Sequence, residues 1–241
     1  MKSQIPTILA IFILVGSLIA VLVVKNQVQL LKSNASASFA PERLKITNIK
    51  DTSFTVSWIT NVPTTSFIEY NSPQGQNKTI PTNLSSIHFV TIQNLNPNTT
   101  YSFKINSGGS FFDNNSSDWV IQTLNTNPDL NTKGEIISGK VVANNNLPAK
   151  NALVYVEIPG NLFFSSQVSG SGNWLVSLPP LADTTILQIT IEDISGISSG
   201  KVDLKNANPV PTITLGNPFD FTHNTSGSSS SDIPKVQITL P

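Results

Sequence analysis

The chain has 241 residues, 14 basic and 14 acidic side chains, a formal net charge of zero and no cysteine. Charged residues make up 12%, against roughly 25% in ordinary domains, and this neutral balance supplies no basic face for a phosphate backbone, which excludes an electrostatic nucleic-acid binder. Without thiols there is neither a disulfide framework nor a thiolate metal site.

Residues 1–4 read as a short cytoplasmic N-terminus ahead of Ile5–Val24, a run that carries no charge. Twenty helical residues rise roughly 30 Å, the thickness of a bilayer core, which predicts a transmembrane helix. Pro6, Gly16 and Ser17 interrupt the run mildly, and membrane helices accommodate them. The nearest cleavage-like triplet, Ala35-Ser36-Ala37, lies well past Val24, so the helix is expected to be retained as an anchor rather than removed. Lys2 precedes it and Lys25 and Lys32 follow it. That count does not favour an outside C-terminus, but long domains translocate largely regardless of loop charge. The expectation is a single-pass cell-membrane protein with its β domains extracytoplasmic. Residues 25–40 turn small and polar and read as a stalk.

From residue 41 the apolar period becomes two. Phe54, Val56 and Trp58 alternate with Ser53, Thr55 and Ser57, predicting a strand with one buried face. Tyr101, Phe103 and Ile105 alternate in the same way, and shorter runs predict strands at 43–49, 66–71, 87–93 and 119–124. Turn clusters at Asn61-Val62-Pro63, Asn71–Gly75 and Asn96-Pro97-Asn98 separate them. Short strands without intervening amphipathic helices predict a β-sandwich over 41–124. Residues 125–133 read as a short linker joining two domains end to end with modest freedom.

Alternation resumes over 134–216. Ala152, Val154, Val156 and Ile158 share one parity, with Leu153, Tyr155 and Glu157 on the other. Trp174, Val176 and Leu178 follow a Ser/Gly turn, and Leu187, Ile189 and Ile191 form a further strand, with Val202–Leu204 and Ile213–Leu215 completing a second small sandwich. Residues 217–241 read as a tail: a flexible Ser/Gly stretch, then Val236, Ile238 and Leu240 alternating with Lys235, Gln237 and Thr239 as a terminal short strand. The predicted class is therefore all-β, two tandem β-sandwiches after one N-terminal transmembrane helix.

Three stretches carry family resemblances. Thr52–Trp58, followed by Leu95-Asn96-Pro97-Asn98-Thr99-Thr100-Tyr101, resembles a fibronectin type III domain. That resemblance implies a buried tryptophan on the second strand, at Trp58, and a tyrosine corner at Tyr101. Thr64–Tyr70 also resembles the accessory β domain of purple acid phosphatases, which is not their catalytic part. Ser138–Val141, Leu147–Val154 and Ser171-Gly172-Asn173-Trp174 resemble a carboxypeptidase regulatory-like domain of the transthyretin-like type, implying a structural or adhesive accessory with Trp174 after its glycine turn. The related adhesin B-type domains carry Lys–Asn isopeptide bonds, for which Lys140, Glu157 and Asn206 or Asn208 are the available groups, in a placement that does not clearly match.

Motifs for chemistry fail on their own terms. Asp113–Asp118 begins like a calcium loop but lacks the glycine at its sixth position and has Leu124 at the twelfth. Gly196–Val202 imitates a phosphate loop one residue short, with Val202 where the magnesium-binding hydroxyl belongs. Ser198 and Lys201 match S-x-x-K without its partner motifs. His88 and His223 are the two histidines, and His88 reads as a structural core residue. No catalytic, cofactor or metal residue is assigned; Trp58, Tyr101 and Trp174 are markers of the cores. The expected function is a non-catalytic, membrane-anchored surface module for spacing, adhesion, or binding of surface proteins or polysaccharide. The alternative is an accessory docking subunit of an envelope enzyme or secretion assembly.

Overall fold

A computed structural model describes residues 38–73, 75–126 and 134–222. The expected anchor at 5–24, most of the stalk, most of the linker, and residues 223–241 lie outside these. Among the described residues no helix is long and apolar enough to cross a membrane.

The described chain is all-β apart from one 3-10 turn, Leu204–Asn206. Strands β1 (Glu42–Thr47), β2 (Phe54–Thr64) and β5 (Ser85–Ile92) form one sheet in the order β1-β2-β5. Strands β3 (Ser66–Ser72), β4 (Gly75–Lys78) and β6 (Thr100–Ser107) form its partner, with β7 (Ser110–Phe112) and β8 (Trp119–Gln122) both paired to β6. Phe54, Val56, Trp58, Val90 and Ile92 from the first sheet meet Ile68, Tyr101, Phe103 and Ile105 from the second in a buried core. The period-two pattern produces this directly, because alternate residues of a strand face one side.

The second sandwich has β10 (Leu153–Ile158), β11 (Leu162–Gln167), β13 (Ile186–Asp193), β14 (Gly196–Asp203) and β16 (Phe219–Phe221) in the order β11-β10-β13-β14-β16. Opposite it, β9 (Glu135–Val142), β12 (Asn173–Leu178) and β15 (Ile213–Thr214) run in the order β12-β9-β15. Val154, Val156, Leu187, Ile189, Ile191 and Val202 pack against Ile137, Val141, Trp174, Val176 and Leu178.

Three features differ from the sequence reading. Asn61-Val62-Pro63 is not a turn but the end of β2, where the register against β5 shifts between Ile59 and Thr64. An irregularity of this kind lets proline enter a strand without costing a ladder hydrogen bond. The chain also does not leave the sandwich at Asn217-Pro218. It adds β16, parallel to β14, and Phe219 and Phe221 pack on the core. Apolar burial of two aromatic rings holds those residues where the sequence suggests a tail.

The third difference concerns how the sandwiches meet. They stack sheet against sheet rather than end to end. On β2 the residues between the core positions, Thr55, Ser57 and Ile59, are 1%, 0% and 5% exposed, so both faces of this strand are buried. Ile59 and Ile87 form one cluster with Leu153 and Tyr155 of β10, and Phe89 packs on it. The outward parity of β10 thus faces the first sandwich, making four layers of sheet with three buried seams.

Candidate functional site

The seam between the sandwiches is the most elaborately built contact in the described chain. Ser57 and Tyr155 share a hydroxyl hydrogen bond at 3.0 Å. Lys45 lies over the Tyr155 ring at 3.8 Å from its centroid and makes a short ion pair with Glu192. Burial pushes the Tyr155 hydroxyl above its ordinary value near 10, and the Glu192 carboxylate adds to that, while the Ser57 contact and Arg43 oppose it. Arg43 reaches the Asp193 carbonyl at 3.4 Å, and Thr47 joins Ser165 through their hydroxyls. Small hydroxyl residues on both faces let the backbones approach while supplying hydrogen-bond partners; among the seam's groups the Glu192 Oε2 is left without one.

Inside the first sandwich, Trp58 is fully buried and stacks on His88 with ring centroids 4.9 Å apart and planes at 12°. His88 Nε2 lies 3.2 Å from Thr64 Oγ1 and its Nδ1 lies 3.2 Å from Thr82 Oγ1. Thr64 passes the network to Ser66 and Ser107 at 2.9 and 3.1 Å. Burial lowers the His88 pKa to about 4, against a smaller opposing effect from the Ser85 backbone. The imidazole is therefore neutral near pH 7 and serves as a core residue. The hydroxyl of Tyr101, itself 1% exposed, accepts a hydrogen bond from the Asn96 N–H at 2.7 Å, which is the geometry of a tyrosine corner.

In the second sandwich Trp174 is 3% exposed and lies against Gly139, where a Cβ would meet the indole at 2.8 Å. Both residues line a groove of about 860 Å³ whose walls include Lys140, Ser166, Asn173, Leu175, Val210 and Pro211. Two buried polar atoms there, Trp174 Nε1 and Ser166 Oγ, have no hydrogen-bond partner. A smaller polar cleft of about 140 Å³ on the first sandwich lies among Glu69, Asn71, Gln76, Lys104 and Asp118.

The structure disperses the other sequence candidates. Lys140 stands exposed on β9, whereas Glu157 lies on β10 in the opposite sheet and Asn208 accepts a hydrogen bond from Ser138 at 2.7 Å. Residues 113–118 form a turn closed by reciprocal Asn114 and Ser117 backbone bonds at 2.7 and 3.2 Å, with Asp118 3.4 Å from Lys104. Ser198 is buried and ties β14 to the loop after β15, accepting from the Gly216 N–H at 2.7 Å. His223 lies outside the described residues. Among the described residues no cluster of His, Asp or Glu is arranged to hold a metal ion. The seam itself escaped the sequence reading; its one signal was that Leu153 and Tyr155, on the outward parity of β10, are apolar and aromatic.

Residues 41–123 match the family model described as the purple acid phosphatase N-terminal domain. No curated protein matches the chain. Among solved structures, the sensor domain of the anti-sigma factor RsgI4 in Pseudobacteroides cellulosolvens is 20% identical over 38% of this chain and 99% of its own, with a TM-score of 0.30. A biofilm-associated protein BSP domain is 17% identical over 73% of this chain and 30% of its own, at 0.31. A two-domain fibronectin type III segment from chicken tenascin is 14% identical over 68% and 98%, at 0.25. Overlaps of this extent relate no site of this chain to those proteins. The first sandwich is thus similar to a non-catalytic domain of an enzyme family, and the family match stops where that sandwich ends.

Proposed function

We propose that the chain is a non-catalytic cell-surface module. Ile5–Val24 anchors it, and the stacked sandwiches present loops and sheet edges to surface proteins or polysaccharide. The observation that carries this reading is the buried seam around Ile59, Ile87, Leu153 and Tyr155. It joins two interaction-type domains into one stiff body, which suits a spacer or display platform better than a flexible tether. The carboxypeptidase regulatory-like resemblance of residues 134–216 supports the same accessory role. Protease treatment of intact cells tests the placement: cleavage within residues 41–241 is expected, and full protection overturns it. Co-sedimentation of the detergent-solubilised full chain with isolated cell-wall glycan tests the binding arm.

A second reading has one specific observation in its favour. The match of residues 41–123 to a domain that accompanies phosphatase catalytic domains fits an accessory docking subunit of an envelope enzyme. Affinity purification from solubilised membranes separates the two. Stoichiometric recovery of an enzyme supports docking, and its absence leaves the display reading.

A further inference from the structure

One end of the first sandwich is finished differently from the rest of its surface. Thr64 of β2 pairs with Ser85 of β5, and Ser66 of β3 pairs with Ser107 of β6, so both sheets reach the same pole. The turn between β6 and β7 closes on it, with the Gly108 N–H donating to the Thr65 carbonyl at 3.3 Å. The chain between β4 and β5 crosses it, with the Thr82 N–H donating to the Ser66 carbonyl at 2.7 Å. Phe39 arrives there too, since a Cβ on Gly108 would meet its ring at 2.7 Å. Ile80, Leu84, Phe111 and Phe39 are 88%, 71%, 52% and 39% exposed. Of the six exposed large apolar side chains described in residues 39–124, these four thus gather at one end. Half-buried Phe67 joins them, meeting Phe111 edge to face at 6.0 Å. Single exposed apolar residues are ordinary, whereas a grouped set marks a contact surface.

The polar groups of the pole turn inward. Thr64, Ser66 and Ser107 bond one another, and Thr82 Oγ1 accepts from the Ser66 N–H at 3.1 Å and bonds His88 Nδ1 at 3.2 Å. The segments that build the pole, 39–41, 60–67, 79–87 and 105–112, contain no charged residue; charge begins at their margins with Glu42, Lys78 and Asp113. Covering this end therefore takes no ion out of water and leaves those inward hydroxyls paired. What fits such a surface is an uncharged apolar phase. The chain enters the pole from the anchor side: residues 25–38 separate Val24 from Phe39, a connection of at most roughly 50 Å. A tether that short holds the pole at high local concentration near the bilayer, so the modest apolar area of four side chains is enough to dock it. We propose that Phe39, Ile80, Leu84 and Phe111 insert into the lipid surface by apolar contact, laying the first sandwich against the membrane. The proposal rests on the reading of Ile5–Val24 as the anchor.

Because the protein has no cysteine, one introduced thiol carries a probe without background in the full chain, reconstituted into phosphatidylcholine vesicles. Ile80→Cys places an environment-sensitive fluorophore at the pole. Ile186→Cys is the control: it is 50% exposed and opens β13, roughly 23 Å of strand from Asp193, whose carbonyl Arg43 reaches. The readout is quenching by lipid that carries a nitroxide just below its headgroup. Quenching at position 80 should exceed that at 186 about fivefold, from the local concentration of a docked pole. It should persist at high salt, since no ion pair holds the contact. Equal quenching at the two sites, or loss of the difference in salt, overturns the proposal. A probe at 80 shielded from water yet unquenched also overturns it and assigns the pole to a protein, a second copy included. Adding Leu84→Asn and Phe111→Asn, both at exposed positions, should bring quenching at 80 down to the control; undiminished quenching overturns the proposal. Flotation of the same vesicles reads the anchor separately. A chain that floats without quenching at 80 defeats this proposal alone, whereas one that does not float defeats the anchor reading and the proposal with it.

Discussion

Asn48 acts on Ser165 as a one-residue strand. Its Oδ1 accepts from the Ser165 N–H at 2.9 Å and its Nδ2 donates to the Ser165 carbonyl at 3.0 Å. Its own N–H donates to the Phe163 carbonyl at 3.1 Å, and its φ of 50° turns the side chain to this use. Asn48→Ala loses the amide and meets the steric cost of a left-handed backbone, so it should destabilise by about 2–3 kcal/mol. Asn48→Gly keeps the backbone at ease and should cost less. Urea unfolding of the pair separates the amide's contribution from that of the dihedral.

The Lys45–Glu192 pair spans the seam asymmetrically, with side chains 34% and 6% exposed. Removing the lysine strands a buried carboxylate whose Oε2 already lacks a partner. Lys45→Met should therefore destabilise by about 2 kcal/mol, discounted from the fully buried case because Lys45 is partly solvated. Adding Glu192→Leu to that variant should restore most of the loss. A double-mutant cycle by chemical denaturation measures it.

His88 links stability to acidity. Its folded pKa of about 4 lies below the ordinary 6.5, so the folded state holds the neutral ring and resists protonation. The stability it supports is complete above pH 6.5 and is lost as pH falls toward 4. The total is up to about 3 kcal/mol, at about 1.4 kcal/mol per pH unit. His88→Asn should flatten the slope between pH 6.5 and 4.5 relative to the parent. Urea unfolding of both proteins at a series of pH values reads the difference.

Gly200 lies under β16. A Cβ there would come within 2.0 Å of the Phe219 carbonyl oxygen and 2.4 Å of its ring. Gly200→Ala should lift β16 from β14 and cost about 3 kcal/mol or more by overpacking. Gly170→Ala, with nothing within 4 Å of the added atom, should be near neutral. Calorimetric melting of both variants checks the contrast.

The alternations Phe54-Val56-Trp58, Tyr101-Phe103-Ile105 and Leu187-Ile189-Ile191 were legible because each strand's inner face is uniformly apolar. The seam was not. Thr55 and Ser57 carry hydroxyls that a period-two reading assigns to water, yet both are buried: Ser57 bonds Tyr155 across the seam, and Thr55 is satisfied by Asn48 and Thr91 within its own sandwich. Leu153 and Tyr155 gave the complementary hint on β10, but a strand with two apolar parities is also what a thick single core would show. Pro63 and Pro218 misled for a related reason. Proline marks a lost N–H, not a lost strand: β2 continues past Pro63, and β16 begins directly after Pro218. The groove beside Trp174 was invisible because the residues lining it come from strands and loops distant in sequence.

The shared seam decides what can be separated from what. If the first sandwich were cut free, Ile59, Ile87 and Phe89 would stand bare on a sheet face, with Thr55 and Ser57 between them. The second would show Leu153 and Tyr155 around a Glu192 without its lysine. Each half alone would carry an adhesive wound rather than a finished surface. In this chain the two sandwiches can be exchanged or transplanted only as a pair.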